Sequence, residues 1–125
     1  MSKRETPLTR RYWREIGGTL IEEFPAVRRG PNQGRRLLDG VVILDAPHLI
    51  ANHREVEIEN RDIVVLQTKA SRLGMYLLGQ ALFSRHLMMP FRPRSIDTVA
   101  ICTKGDAVLE PWAAAYGIKV VVYQD

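Results

Sequence analysis

Two apolar runs, each with polar residues at one end, decide the fold of this chain. The later run is Ile63-Val64-Val65-Leu66-Gln67-Thr68-Lys69, and the earlier one is Leu37-Leu38-Asp39-Gly40-Val41-Val42-Ile43-Leu44. Side chains alternate faces along a β-strand, so Gln67 and Lys69 share one face. If the two strands pair, Asp39 comes close to that face. The sequence therefore predicts a carboxylate, an amide oxygen and an ammonium around one point, a set that suits a hard cation and a phosphate.

Working outward from these runs, apolar periodicity and turn residues predict helices and strands in the order αβββαβαβ. The predicted helices cover residues 9–16, 73–88 and 107–116, and the predicted strands cover 19–27, 36–44, 63–70, 95–103 and 118–123. Thr9 is the expected N-cap of the first helix, and residues 1–7 are expected to fray. This order predicts an α/β fold in which helices flank a mixed central sheet. We expect one domain over residues 1–125.

Three further expectations concern individual segments. Alternation in residues 45–62 predicts a short exposed extension of a hairpin. The last strand is nearly all apolar, which predicts a position inside the sheet with both faces covered. The helix over 73–88 should bury a stripe of large apolar side chains. That stripe consists of Met75, Leu78, Leu82, Phe83 and Leu87.

Composition narrows the functional class. The chain has 18 Lys plus Arg against 14 Asp plus Glu, a net charge of +4, which allows a polyanionic partner without requiring one. The only cysteine, Cys102, excludes a disulfide framework and a cysteine metal cluster and is compatible with a reducing cytoplasm. No stretch is apolar enough for a signal segment or a membrane span. We expect a cytoplasmic protein with no membrane partner.

The acid early in the second strand and the polar-x-Lys triplet late in the third carry a family resemblance. With the element order, they make the chain similar to the PD-(D/E)xK nuclease superfamily. Leu38-Asp39 stands where that family has Pro-Asp, and Gln67-Thr68-Lys69 stands for its acid-x-Lys motif, as in some Mrr-type restriction endonucleases. The resemblance implies a restriction endonuclease-like core and a metal-dependent nuclease that hydrolyses phosphodiester bonds of DNA.

The chemistry of these residues agrees with that implication. Phosphodiester hydrolysis needs charge neutralisation at the phosphoryl oxygens and an activated water, and bound Mg²⁺ or Mn²⁺ can supply both. Mg²⁺ prefers oxygen ligands and takes few carboxylates from the protein. Asp39, the side-chain oxygen of Gln67 and the carbonyl of Thr68 are the predicted ligands. Lys69 is predicted to hold the attacking water or to neutralise charge in the transition state.

The glutamine removes one negative charge from this site, so we expect a further carboxylate nearby. In resolvase-like members of the family, a glutamate from the first helix has this role. The resemblance makes Glu15 the candidate here, because it is the acid inside the helix predicted over residues 9–16. Glu22, on the first strand, is the alternative, and the spacing does not decide between them.

Nucleic-acid contacts are predicted from arginines and one glutamine. The arginines Arg28, Arg29, Arg35 and Arg36 surround the turn between the first two strands, and related nucleases often place a polar residue at the position of Gln80. Two cuts on a duplex need two sites, which makes a homodimer possible. A second hypothesis is a catalytically degenerate nuclease-fold module that binds nucleic acid or a protein partner.

Overall fold

The computed structural model describes residues 1–124 and contains three helices and six strands in that range. The helices are α1 (Glu5–Ile16), α2 (Met75–Met88) and α3 (Leu109–Ala115). The strands are β1 (Thr19–Val27), β2 (Arg36–Ile43), β3 (Leu49–Ile50), β4 (Asp62–Arg72), β5 (Ser95–Lys104) and β6 (Ile118–Val122). Short 3₁₀ helices cover His53–Glu55 and Met89–Phe91.

All six strands form one mixed sheet in the order β3-β1-β2-β4-β5-β6. β2 pairs antiparallel with β1 and β4, whereas β5 pairs parallel with β4 and β6. The crossovers that contain α2 and α3 explain the parallel half, because parallel neighbours need a long connection. The predicted α/β fold, with a mixed central sheet flanked by helices, is confirmed. The two-residue strand β3, parallel to β1, is an addition.

Alternate residues of β4 divide the core between the two faces of the sheet. Leu66 packs in the cluster under α1 with Tyr12 and Trp13. Val65 packs on the other face with Met88 of α2. A third cluster joins α2, α3 and the parallel half of the sheet, through Leu77, Ala81, Ala100, Ala113 and Ile118. β4 is therefore buried on both faces, as its continuous apolar sequence requires.

Helix α1 begins one turn earlier than the sequence predicts. It starts at Glu5, so Pro7 lies in the first turn, where its missing N–H leaves no hydrogen bond unmade. Residues 5–7 are therefore helical rather than frayed. Thr9 is not the N-cap. It is buried against the sheet, with its hydroxyl hydrogen-bonded to that of Thr68 at 2.7 Å between the oxygens.

The buried stripe of α2 also differs from the prediction. Its buried residues are Leu77, Ala81, Ser84 and Met88, whereas Met75 and Phe83 are exposed. Small side chains at Ala81 and Ser84 let the helix lie close to the sheet, and this turns the larger apolar residues outward. The exposed aromatic side of α2 is a direct consequence.

Two other expectations are wrong. β6 is an edge strand with a neighbour on one side only, so its side chains from Val120 to Val122 are half-buried rather than enclosed. Residues 56–58 form no hairpin extension: Ile58 is buried, and Val56 packs against the same core cluster. Both side chains cover the end of that core.

Within residues 1–124, no helix has the length and apolar character needed to cross a membrane.

Candidate active site

The centre of the candidate site is the point where β2 and β4 separate. Their antiparallel pairing runs from Ile43↔Ile63 to a last pair, Gly40↔Leu66. Asp39 comes next on β2, and its Oδ2 accepts a hydrogen bond of 2.8 Å from the backbone N–H of Thr68. The carboxylate thus accepts the hydrogen bond that a backbone carbonyl of β2 would accept if the antiparallel pairing continued. The N–H and C=O of one strand residue point to the same side, so the carbonyl of Thr68 also faces this opening.

The alternation of side-chain faces along β2 is interrupted at Asp39. Leu38 and Val41 belong to the same core cluster, although strict alternation places residues three apart on opposite faces. The backbone of β2 therefore changes face at Asp39-Gly40. β1 changes face at the same level, where Glu23 has a positive φ of 49°. Both strands leave the regular sheet together at the site.

The side chain of Gln67 has a defined orientation. It is 4% exposed, and its Nε2 donates to Ser84 Oγ at 2.6 Å. Ser84 donates its single hydroxyl hydrogen to the carbonyl of Gln80, also at 2.6 Å, so its oxygen must accept from Gln67. Gln67 Oε1 consequently points away from Ser84, and no donor in the described chain is bonded to it. The carbonyl oxygen of this residue therefore remains available as an acceptor or a ligand.

Lys69 lies two residues further along β4, on the same face as Gln67. The parallel ladder with β5 continues regularly to Lys69↔Cys102, so the strand still holds its alternation here. The side chain is exposed and forms no ion pair with any residue from 1 to 124. Its ammonium is therefore free to meet an anion from solvent.

The electrostatic surroundings of Asp39 favour an added cation. Burial raises the pKa of Asp39 above its ordinary value, although the hydrogen bond from Thr68 and the N-terminal ammonium act in the opposite direction. The carboxylates of Glu5 and Glu23 raise that pKa further, because they repel a third negative charge. The ammonium of Met1 lies 2.7 Å from Glu23 Oε1 and partly offsets this repulsion.

The structure brings neither of the predicted glutamates to Asp39. Glu15 accepts a hydrogen bond of 2.7 Å from the hydroxyl of Tyr123, which follows β6, two strands away from β4. Glu22 pairs with Gly40 in the ladder, but its carboxylate is turned to Arg10 in a two-pronged contact of 2.8 and 3.0 Å. Both carboxylates are engaged by their own partners, which corrects the expectation for Glu15 and for its alternative.

Glu5 is the helix acid that sequence reasoning missed. It lies four residues before Thr9, whose hydroxyl contacts Thr68, so it sits one turn further along the same face of α1. It is half-buried and close enough to influence the pKa of Asp39. The signal was present in the spacing Glu5, Thr9 and Trp13. It becomes visible only when the helix is extended back through Pro7.

The oxygen atoms near the opening suit a hard cation that retains several water ligands. Asp39 offers a carboxylate and Thr68 a backbone carbonyl at the opening, whereas the amide oxygen comes from Gln67, which lines the neighbouring cleft against α2. All three are oxygen ligands. No group of three His, Cys, Asp or Glu side chains in residues 1–124 is placed to hold a metal ion. A cation here would therefore depend on one carboxylate with neutral oxygens, a set compatible with Mg²⁺ or Mn²⁺ at modest affinity.

Of the predicted nucleic-acid residues, Arg36 and Gln80 lie beside Gln67, whereas Arg28 lines a different cleft with Phe24 and Phe91. Arg28, Arg29, Arg35 and Arg36 are exposed, at the turn between β1 and β2, and form no ion pair within the described residues. Gln80 is exposed on α2 and lines a cleft of about 490 Å³ together with Gln67 and Arg36. Gln80 and Arg36 therefore border the candidate site directly.

Comparison with known protein families, with curated proteins and with solved structures finds no match to this chain.

The raised pKa of Asp39 gives a stability prediction. A carboxyl group with a raised folded-state pKa contributes stability below its unfolded value of 3.8, and that contribution is lost as the pH rises through the folded pKa. Asp39→Asn keeps an acceptor for Thr68 N–H and removes the buried charge. We expect a higher Tm than wild type at about pH 7 and no difference at about pH 3. Asp97→Asn, at an exposed position on β5, is the matched control; an equal gain there would contradict the assignment.

Proposed function

We propose that this chain is a metal-dependent nuclease that hydrolyses phosphodiester bonds of DNA. One observation carries the proposal: the Asp39 carboxylate is bound to the main chain of the Gln67-Thr68-Lys69 triplet where β2 and β4 separate. The same strand end offers a free amide oxygen and a free ammonium. A carboxylate, neutral oxygens and a cationic side chain are the groups that hydrolysis of a phosphodiester requires.

Each residue has a role in this proposal. Asp39, Gln67 Oε1 and the Thr68 carbonyl would hold Mg²⁺ or Mn²⁺, which when bound neutralises phosphoryl charge and lowers the pKa of a bound water. Lys69 stabilises the negative charge that develops on the phosphoryl group, or orients the attacking water. The arginines of the β1–β2 turn bind flanking phosphates, for which the guanidinium group is well shaped.

Gln67 also supports a second candidate function. An amide in place of an acid leaves Asp39 as the one carboxylate of the ligand set, which weakens the hold on a divalent cation. The free arginines would still attract a polyanion. The second candidate is therefore a catalytically degenerate module of this fold, which binds nucleic acid or a protein partner without cutting.

A supercoiled plasmid assay separates the two candidates. The nuclease proposal expects nicking that needs Mg²⁺ or Mn²⁺ and stops in EDTA, together with a rise in Tm when Mn²⁺ is added, because a bound ion stabilises the folded state. Binding that weakens steeply with salt, without nicking and without a shift in Tm, would instead establish the degenerate module.

Related proposals follow from the same residues. Asp39 and the Gln67-Thr68-Lys69 triplet support a place in the PD-(D/E)xK superfamily, with a restriction endonuclease-like core. A homodimer would supply the two sites that paired cuts on a duplex require. A cytoplasmic location agrees with the single, buried and unpaired Cys102.

A further inference from the structure

A cleft beside the candidate site has an unusual lining. It lies between the first residues of β2 and the outer side of α2 and encloses about 490 Å³. Its aromatic walls are Tyr76, which is 76% exposed, and Phe83, which is 66% exposed. We call it the α2 cleft and define it by Arg36, Leu38, Gln67, Tyr76, Gly79 and Phe83.

Gly79 leaves an open position, here called the slot, between Tyr76 and Phe83 along α2. Tyr76 and Phe83 are seven residues apart on α2 and therefore lie on one side of the helix, with Gly79 between them. A Cβ atom at Gly79 would meet nothing within 4 Å. Two exposed aromatic side chains with open space at the position between them offer stacking surfaces that suit a flat ring better than an aliphatic chain.

The polar groups of the cleft restrict the occupant further. Gln67, of which 4% is exposed, lies at the floor of the cleft, and its Oε1 has no bonded donor in residues 1–124. Arg36 is the charged residue of the lining, which contains no acid among the described residues. The occupant should therefore combine a flat ring, a hydrogen-bond donor on its edge and an attached anion. A nucleotide has these three features, and its ring edge is free only when the base is unpaired.

We infer that the α2 cleft binds an unpaired nucleobase of single-stranded DNA. The base lies between Tyr76 and Phe83, and its phosphate meets Arg36. Its edge donates to one lone pair of Gln67 Oε1, which leaves the second lone pair of that oxygen for the proposed metal ion. Stacking on aromatic side chains gives affinity with little sequence preference. This inference rests on the proposed function and deepens it, because it makes single strands, or duplexes with unpaired bases, the substrate class of the neighbouring nuclease site.

Fluorescence anisotropy in EDTA tests the inference without cleavage. The probes are a labelled oligothymidine of about 20 nucleotides and a duplex of the same length. We expect the single strand to bind about tenfold more tightly, and Phe83→Ala to weaken its binding about tenfold, as stacking on one aromatic side chain predicts. Equal affinity for the two probes would overturn the inference.

Gly79→Leu separates a blocked slot from a damaged fold. The new side chain fills the slot, whereas replacing a helical glycine by leucine should maintain or raise Tm. We expect single-strand binding to fall about tenfold while the duplex is bound as before. Trp112 is exposed on α3 and lines the neighbouring groove on the other side of Gly79, so Trp112→Ala shows which of the two surfaces binds; it should leave both affinities unchanged. An equal loss in Trp112→Ala would move the binding surface to α3 and contradict the assignment.

Three further outcomes are informative. If Gly79→Leu converts a dimer into a monomer on gel filtration, the cleft holds a second copy of the chain, and the inference is wrong. Slot-dependent binding of single strands without any metal-dependent nicking would uphold the inference and overturn the proposed nuclease. Metal-dependent nicking together with single-strand binding that the slot variants leave unchanged would do the reverse.

Discussion

Replacing Asp39 with asparagine is expected to lower metal-dependent nicking of DNA by at least about a hundredfold, as loss of a group that stabilises a transition state typically does. The amide can still accept the hydrogen bond from Thr68 N–H, so the opening between β2 and β4 should keep its shape. What disappears is the one carboxylate of the proposed ligand set.

Lys69→Ala should cause a loss of similar size, because no other lysine lies on that strand end.

The controls for this prediction use the same chemical changes elsewhere. Asp97→Asn and Lys119→Ala alter exposed residues on β5 and β6, outside the proposed ligand set, and should nick at the wild-type rate. The combination expected of Asp39→Asn, lower activity with a higher Tm at neutral pH, is typical of a residue kept for function rather than for stability. Full activity in either Asp39→Asn or Lys69→Ala would contradict the assigned site.

Much of the sheet was predictable because its strands carry strong local signals. β1 matches the predicted residues 19–27, since apolar and β-branched residues fill it between two glycines and an arginine-rich turn. The failures occurred where tertiary packing overrides local preference. α2 buries Ser84 instead of Phe83, because a close approach to the sheet favours small side chains over large ones.

The candidate site was predictable in part for the same reason. Asp39 and Lys69 stand out as polar residues at the ends of apolar strands, which a single sequence displays. The orientation of Gln67 could not be predicted, because it depends on a hydrogen bond to Ser84 on another element. Glu5 was missed because its relevance depends on where α1 begins. Contacts between elements, rather than patterns within them, determined these outcomes.

The turn that positions α1 over the site gives the second large effect. Gly17 and Gly18 both have a φ of 81°, and a Cβ at Gly18 would collide with the carbonyl oxygen of Ile43. We expect Gly18→Ala to lower the free energy of unfolding by about 3 kcal/mol or more, since backbone strain and a collision with main chain add. The corresponding fall in Tm should be about 10 °C or more in a thermal melt.

Gly17→Ala separates the two causes of that loss, the backbone strain and the collision with the main chain. Its φ is the same, but a Cβ there would meet nothing within 4 Å, so the backbone strain of about 1–3 kcal/mol is the expected cost. The backbone carbonyl of Gly18 also accepts the indole N–H of Trp13 at 2.7 Å, which fixes α1 to the start of β1. Displacing this turn should move Thr9 and Glu5 away from Thr68 and Asp39. Gly18→Ala should therefore lose more nicking activity than Gly17→Ala at a temperature where both are folded; equal Tm values for the two variants would show that the collision with Ile43 is relieved without cost.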